Sequence, residues 1–451
     1  MSSRIEKDSL GQIEVPGDAL YGAQTQRAVH NFAGMARPMP VALIHCLAQL
    51  KSAAAEANAQ CGAIDPAMAQ AIRAAASAVA NGDHDQEFPV SVFQTGSGTS
   101  TNMNMNEVLA RLAGEGVHPN DHVNCSQSSN DIIPSALQAT VAKAISGQLL
   151  PALEHGAGVI AQRADELADI CKTGRTHLMD AMPVTLGQEL GAWVAQLEDC
   201  AQRLRELMPR LCALPVGGSA VGTGVNVPDG FPEAVVVELS GLLGLSFRCA
   251  DNRFARMASQ DVAVEASGCL RAVAVSLSKV NNDLRWMGSG PLAGLGEISL
   301  KPLQPGSSIM PGKVNPVLPE AVLMVCAEVI GNDATVVQAG TSGNFQLNVM
   351  LPLVADKLCT SIALLTGALT ATAETVRDFS VHEETLRAAL ARNPMLATAL
   401  NTRIGYEAAT EIAKRSYAEQ RPVLDVALEC TGIAEEELRD LLDPRRLAGV
   451  L

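Results

Sequence analysis

Residues 132–150 read Ile-Ile-Pro-Ser-Ala-Leu-Gln-Ala-Thr-Val-Ala-Lys-Ala-Ile-Ser-Gly-Gln-Leu-Leu. Leu137, Val141, Ile145 and Leu149 recur there at four-residue spacing, the mark of a helix with a buried stripe. Pro134 suits the first turn of that helix, and Asn130 or Asp131 just before it can cap it. Long helical patterns follow at about 151–171, 184–212, 256–287, 318–338 and 350–377. Long helices joined by modest gaps pack ridge into groove as a bundle. Upstream, the Ala- and Leu-rich stretch 41–60 also reads as a helix, and so does 66–80. Beyond Val381 a compact tail carries shorter helical pieces at 383–390, 395–402, 405–419 and 434–441. The expectation is a mainly α fold in three regions: a mixed, mostly helical N-terminal domain over 1–131, a central long-helix bundle over 132–380 and a small helical C-terminal domain over 381–451.

The composition agrees with this. Of 451 residues, 47% are hydrophobic and only 3% aromatic, so the core is built from Ala, Leu, Val and Ile, which suits close-packed helices. No apolar run reads as long enough to span a bilayer, and the start, 1–11, is polar and mixed in charge. A cytoplasmic protein is expected. The formal net charge of −15 argues against nucleic acid and anionic membrane surfaces as partners. It also opposes an anionic substrate, which would need a local positive site made from Lys313, arginines and helix N-termini. Eleven cysteines without a C-x-x-C pair read as free thiols. The only close histidine pair, His118 and His122, sits in a Pro-Asn-Asp turn with no partner ligands, so neither a metal nor a cofactor is expected.

Four polar islands interrupt the helical texture. The first is Gln94-Thr95-Gly96-Ser97-Gly98-Thr99, followed by Asn102, Asn104 and Asn106; hydroxyls between glycines can donate hydrogen bonds to a carboxylate, although an ordinary glycine turn looks the same. The second comprises His118-Pro119-Asn120-Asp121 and then Ser126 to Asp131 at the head of a helix, which is either an anion site or simple capping. The third is Gly174-Arg175-Thr176-His177-Leu178-Met179-Asp180, whose histidine can exchange a proton near neutral pH but alone reads as structural. The fourth is Gly306-Ser307-Ser308-Ile309-Met310-Pro311-Gly312-Lys313-Val314-Asn315-Pro316, with Glu320 beyond it. Its prolines and glycines make it a loop, and it combines two hydroxyls, a cation and an amide. Such a loop can take a proton from a carbon beside a carboxylate and hold the resulting anion.

In this order the four islands resemble the fumarase/aspartase superfamily, with 306–316 similar to its signature loop. The resemblance extends through Glu6-Lys7-Asp8-Ser9, Tyr21 to Arg27, Gly217 to Gly224 and Gly343 to Asn348, and is nearest to the class II, iron-independent fumarate hydratases. It implies a homotetramer with a shared helical core, each active site drawing its islands from three subunits. It implies small dicarboxylates, fumarate and malate, as substrates, and reversible stereospecific hydration of fumarate to (S)-malate in the tricarboxylic acid cycle. Ser307 matches the base that removes the C3 proton, leaving an aci-carboxylate met by Lys313, Asn315 and the N–H of Ser308. His177 matches the acid acting on the departing hydroxyl through a water, with Glu320 orienting it. Ser97, Gly98, Thr99, Ser128, Ser129, Asn130, Thr176, Ser308, Val314 and Asn315 would line the substrate site. His118, Pro119, Asn120 and Asp121 match a second dicarboxylate site.

Some positions depart from that pattern. The segment 113–117 before His118 is short where some relatives carry a basic insertion, Cys125 stands where lysine is frequent, and Gln346 replaces a glutamate common in fumarases. Aspartate ammonia-lyase shares the loop and the Pro316-to-Glu320 pattern. His177 favours water over ammonia as the leaving group, because aspartases typically carry glutamine after Arg-Thr. Lyases of larger succinyl adducts match chiefly in the loop. A non-catalytic helical scaffold is the alternative from another class, and such a scaffold would be free to lose Ser307, Lys313, Asn315, His177 and Glu320, all of which are present.

Overall fold

A computed structural model describes residues 3–450. In chain order it contains the strands β1 (Ser3–Asp8) and β2 (Gly11–Pro16), then helices α1 (Ala23–Phe32), α2 (Val41–Gln60), α3 (Pro66–Ala80), α4 (Thr99–Ala113), α5 (Ser129–Ala144) and α6 (Leu150–Glu166). There follow the strands β3 (Cys171–Thr176) and β4 (Met179–Thr185) and helices α7 (Leu186–Leu211), α8 (Phe231–Leu243), α9 (Arg253–Ala258), α10 (Asp261–Met287), α11 (Val317–Gly340), α12 (Leu351–Asp378) and α13 (Glu383–Ala391). Short helices at Tyr406–Glu419, Val423–Thr431 and Glu435–Leu441 fill the tail. The fold is mainly α, as the helical periodicity requires.

The chain forms two compact units: Met1–Pro151 with Gln202–Ala274 and Ala327–Thr366, and Ala152–Ala201 with Val275–Cys326 and Gly367–Leu451. The four longest helices, α7, α10, α11 and α12, each contribute residues to both.

In the first unit α2 is the central element, packed by α3, α5 and α8. Leu43, Leu47, Leu50, Ala54 and Ala57 on it are almost wholly buried. Helix α3 starts where Asp65 accepts from the Ala67 N–H, with Pro66 in the first helical position. Helix α5 begins earlier than its hydrophobic stripe suggests. Ser128, not Asn130 or Asp131, is the cap: its side chain serves the first turn while Asp131 accepts from the Ser128 N–H at 3.0 Å, a reciprocal capping box. Pro134 therefore lies inside the helix. Helix α4 is absent from the sequence reading, because Asn102, Asn104 and Asn106 are poor helix formers.

In the second unit the helix expected to reach 171 ends at Glu166, and a hairpin of β3 and β4 follows, paired from Cys171↔Thr185 to Thr176↔Met179. The tail forms its own core from Leu390, Leu396, Leu400, Ile412, Val423, Val426 and Leu438.

Helix α12 corrects one expectation. By length and composition it is apolar enough to cross a membrane, and half of its most apolar window is buried inside the protein. Its Asp356 is buried and pairs with Arg37 at 3.2 Å and Lys357 at 3.5 Å, a polar cluster suited to a protein interior.

Candidate active site

The first unit brings two of the polar islands together. Gly96 is where the backbone of the first island touches the start of α12: its carbonyl accepts from the Leu351 N–H at 3.0 Å, and a Cβ there would lie 1.8 Å from the Val349 carbonyl oxygen. Gly98 has φ +75° and ends the turn into α4; a Cβ on it would meet Ile133 of α5 at 2.8 Å. Gly98 thus lets the N-termini of α4 and α5 approach each other, and Gly96 lets the turn before α4 lie against the start of α12. Ser97 and Thr99 share a hydrogen bond of 2.7 Å. Across the gap, Asn102 Nδ2 donates to Ser129 Oγ at 3.0 Å. Ser97, Gly98 and Ser129 are buried, and Thr99, Ser128 and Asn130 are half-buried. Helix N-termini present unpaired N–H groups and favour negative charge.

Two buried groups, Asp131, which the sequence offered only as a cap, and Lys51, which it did not single out, support this surface. Asp131, fully buried, accepts from Gly217 N and Ser219 N at 3.0 Å each, tying α5 to the glycine-rich 217–224 segment. Asn130 Nδ2 donates to the Ala220 carbonyl at 2.8 Å in the same segment. Burial pushes the Asp131 carboxyl up to about 6 against those backbone hydrogen bonds. Lys51, also fully buried, donates to Asn124 Oδ1 at 3.0 Å and Gln127 Oε1 at 2.9 Å. Burial lowers its amine to about 7, opposed by the charge of Asp131. A signal for Lys51 existed: it falls on the stripe of Leu43 and Leu47 at four-residue spacing, where a lysine is out of place.

The other two islands belong to the second unit. Thr176 and Met179 pair across the β3–β4 hairpin, so His177 and Leu178 form its two-residue turn. Both are left-handed, with φ +58° and +60°, as a twist-matched hairpin turn demands. Neither is glycine or asparagine, so the turn is strained, and it projects an exposed histidine. An ion cluster anchors the strand leading into it. Lys172 Nζ lies 2.6 Å from both Glu189 and Glu297, and Arg175 lies 2.7 Å from Glu297. Lys172 and Glu297 are buried, so removing one partner would strand a charge.

The 306–316 loop closes on itself. The Gly306 N–H donates to the Lys313 carbonyl at 3.1 Å, and Asn315 Nδ2 donates to the Gly306 carbonyl at 2.6 Å. A Cβ on Gly306 would lie 2.1 Å from that Lys313 oxygen. Within the loop, Ser307 Oγ accepts from the Ile309 N–H at 3.2 Å and the Met310 N–H at 3.0 Å. Ser307 and Asn315 are half-buried; Ser308, Lys313, Val314 and Glu320 are exposed. Among the described residues, no hydrogen bond or ion pair joins His177 to Glu320 or to Ser307.

At the third location, again in the first unit, His118, Pro119 and Asn120 line a cavity of ≈ 720 Å³ together with Lys7 and Arg111. Asp121 faces His118 instead, its Oδ2 3.1 Å from Nδ1. Lys7 and Arg111 are cations that the sequence reading of this island did not include, but Glu6, Asp8, Glu107 and Glu115 line the same cavity and Arg111 is paired with Glu6. No group of three or more His, Cys, Asp or Glu among the described residues could hold a metal ion.

This geometry can be set beside known proteins. A family model described as lyase matches residues 11–331, and one described as fumarase C C-terminus matches 396–449. The chain is 55% identical over 450 residues to a protein of Pseudomonas aeruginosa named fumarate hydratase class II 2, covering 99% of this chain and 98% of that one. The chain belongs to the class II fumarate hydratase family. A member from Xylella fastidiosa, named fumarate hydratase class II, is 54% identical, covering 98% of this chain and 95% of that one. The crystal structure of class II fumarase from Schistosoma mansoni superposes with a TM-score of 0.96 at 38% identity, with 99% of each chain covered. So near-complete a match carries the class II fumarase fold through the tail, where the signature loop alone would say nothing.

Proposed function

We propose that the chain catalyses the reversible, stereospecific addition of water to fumarate to give (S)-malate, a carbon–oxygen lyase reaction of the tricarboxylic acid cycle that uses no cofactor. The observation that carries the activity is the full-length 55% identity to a class II fumarate hydratase. In the malate-to-fumarate direction Ser307 removes the C3 proton. Two loop amides already donate to its oxygen, which favours the alkoxide a serine base requires. The aci-carboxylate that forms carries an extra negative charge, met by Lys313, Asn315 and the Ser308 N–H. His177 protonates the departing hydroxyl through a water, with Glu320 charging and orienting the imidazole. Ser97, Gly98, Thr99, Ser128, Ser129, Asn130, Thr176 and Val314 hold the two substrate carboxylates. Positioning of this kind supplies at best about 7–11 kcal/mol of the barrier reduction.

The assembly that completes the site is a homotetramer in the cytoplasm, with three subunits contributing to each centre. This reading accounts for Ser307, His177 and Glu320 making no mutual contacts. The three-region division at 131/132 and 380/381 is proposed with it, as is a second dicarboxylate site at His118, Pro119, Asn120 and Asp121.

The test is loss of fumarate ultraviolet absorbance with purified protein in metal-free buffer, without and then with ammonia. Loss in water alone, with malate formed, is expected. Loss only with ammonia would make the chain an aspartate ammonia-lyase, and no loss in either would leave another succinyl lyase or an idle scaffold.

A further inference from the structure

A protein with a net charge of −15 must hold a dianion, and the two helix N-termini that face it in the first unit carry no cation of their own at the contact. A buried cation is tied to this contact through hydrogen-bonded side chains. Lys51 is fully buried on α2, and its ammonium donates to Asn124 Oδ1 and Gln127 Oε1 in the turn that leads into α5. The Asn124 oxygen is a shared acceptor: Asn102 Nδ2 reaches it at 3.1 Å and Asn106 Nδ2 at 3.2 Å. The same Asn102 amide donates to Ser129 Oγ at 3.0 Å. Because Ser129 Oγ already accepts from Asn102, its own O–H is left to donate outward. Asn124 Nδ2 and Gln127 Nε2 hold the turn itself, donating to the Gln127, Val123 and Cys125 carbonyls.

We infer that Lys51 is a positioning residue of the carboxylate-binding end: through Asn124, Asn102 and Gln127 it fixes the donor orientation of Ser129 and places a buried positive charge behind the α5 N-terminus. The inference rests on the proposed binding role of Ser128, Ser129 and Asn130. Its physical basis is twofold. Charge in a low-dielectric layer acts on a bound anion far more strongly than an exposed lysine does. A bound carboxylate in turn favours the protonated amine, so ligand and lysine stabilise each other. The charge also has a structural partner, because the buried Asp131 carboxylate in the first turn of α5 attracts it. The separation of KM from stability in the experiment below therefore carries the inference.

The experiment compares Lys51→Met, which keeps the stem and removes the charge, with Lys51→Gln, which keeps a donor but no charge. For each, KM and kcat for fumarate are measured at fixed ionic strength beside the thermal unfolding midpoint. The expected result for the Met variant is a KM raised about tenfold or more with kcat changed less than about threefold, at a lowered unfolding midpoint, because Asn124 and Gln127 lose a donor and the buried Asp131 loses an attracting cation. A partial recovery of KM in the Gln variant would apportion the effect between hydrogen bonding and charge. Unchanged KM in a folded Met variant overturns the inference. If the Met variant does not fold, the Gln variant decides on the same criterion: a raised KM supports the role and an unchanged KM removes it. If the unaltered chain does not turn over fumarate at all, the functional reading has failed instead, and calorimetric titration of succinate into the unaltered chain and both variants still tests Lys51, with equal affinities overturning it.

Discussion

A serine hydroxyl gives up its proton only where its anion is stabilised more than water can manage. In the 306–316 loop two consecutive amides, of Ile309 and Met310, donate to Ser307 Oγ, and Lys313 sits on the same closed loop, groups that would stabilise such an anion. Ser307→Ala removes the oxygen and leaves the loop's other hydrogen bonds in place. Turnover of fumarate is expected to fall by about 10²–10⁴-fold, the usual contribution of a positioned base, with the unfolding midpoint unchanged. Turnover at the original rate would remove Ser307 as the base. The residue types of this loop were legible in the sequence, because hydroxyls, a lysine and an amide between glycines announce themselves. The two amides were not, since their direction depends on the path of the backbone. His177 was obscured differently. Two-residue hairpin turns with positive φ normally advertise Asn-Gly or Asp-Gly, and His-Leu gives no such sign, so its strained placement appears only in the backbone angles.

Elements set the distance between the polar islands. The stripe from Leu137 to Leu149 fixed the existence of α5, but hydrophobic spacing reports which face packs, not where the first turn begins. The Ser128–Asp131 capping box decides that, and it moves the start three residues upstream of Ile132 to Ser129, carrying Ser129 and Asn130 onto the helix. Helix α4 was hidden for the opposite reason. Its three buried asparagines lower helix propensity, yet each amide is used: Asn102 toward Ser129, Asn104 to the Glu87 carbonyl at 2.9 Å, and Asn106 toward Asn124. The close approach of the 94–99 turn to the start of α12 depends on Gly96. A methyl group there would sit 1.8 Å from a backbone oxygen, which has no flexible side chain to yield. Gly96→Ala is therefore expected to force the 94–99 turn away from the start of α12. The cost should be about 1–3 kcal/mol in chemical denaturation, with a raised KM for fumarate. A variant with unaltered stability and unaltered KM would show that the turn relaxes freely and that its placement does not matter.

For the whole molecule, the sequence read as mainly helical, with a core of Ala, Leu, Val and Ile that suits close-packed helices, and the fold is mainly α. Its charge, by contrast, argued only against partners, and could not say what covers the apolar surface that remains. On α11 that surface has a pattern. Met324, Ile330 and Val337 are exposed, at 67%, 41% and 43%, and recur at intervals of six and seven residues. On α10, Val275 is 56% exposed. A stripe at roughly heptad spacing on a long helix is what a second helix buries. A homotetramer built on these helices would cover it, and would also supply from neighbouring subunits the side chains that Ser307 and His177 do not meet within one chain. The double variant Met324→Glu, Val337→Glu places charges on this face, where solvent exposure in a lone chain makes them nearly neutral to folding, within about 0.5 kcal/mol each. Light scattering is expected to show a species smaller than the assembly formed by the unaltered chain. Turnover per chain should fall by about 10²-fold or more as the shared constellation comes apart. Helical circular dichroism should persist, separating dissociation from unfolding. A dissociated variant that keeps its full turnover would mean that each centre is complete within one chain, and the assignment of His177 and Ser307 to a shared site would have to be abandoned.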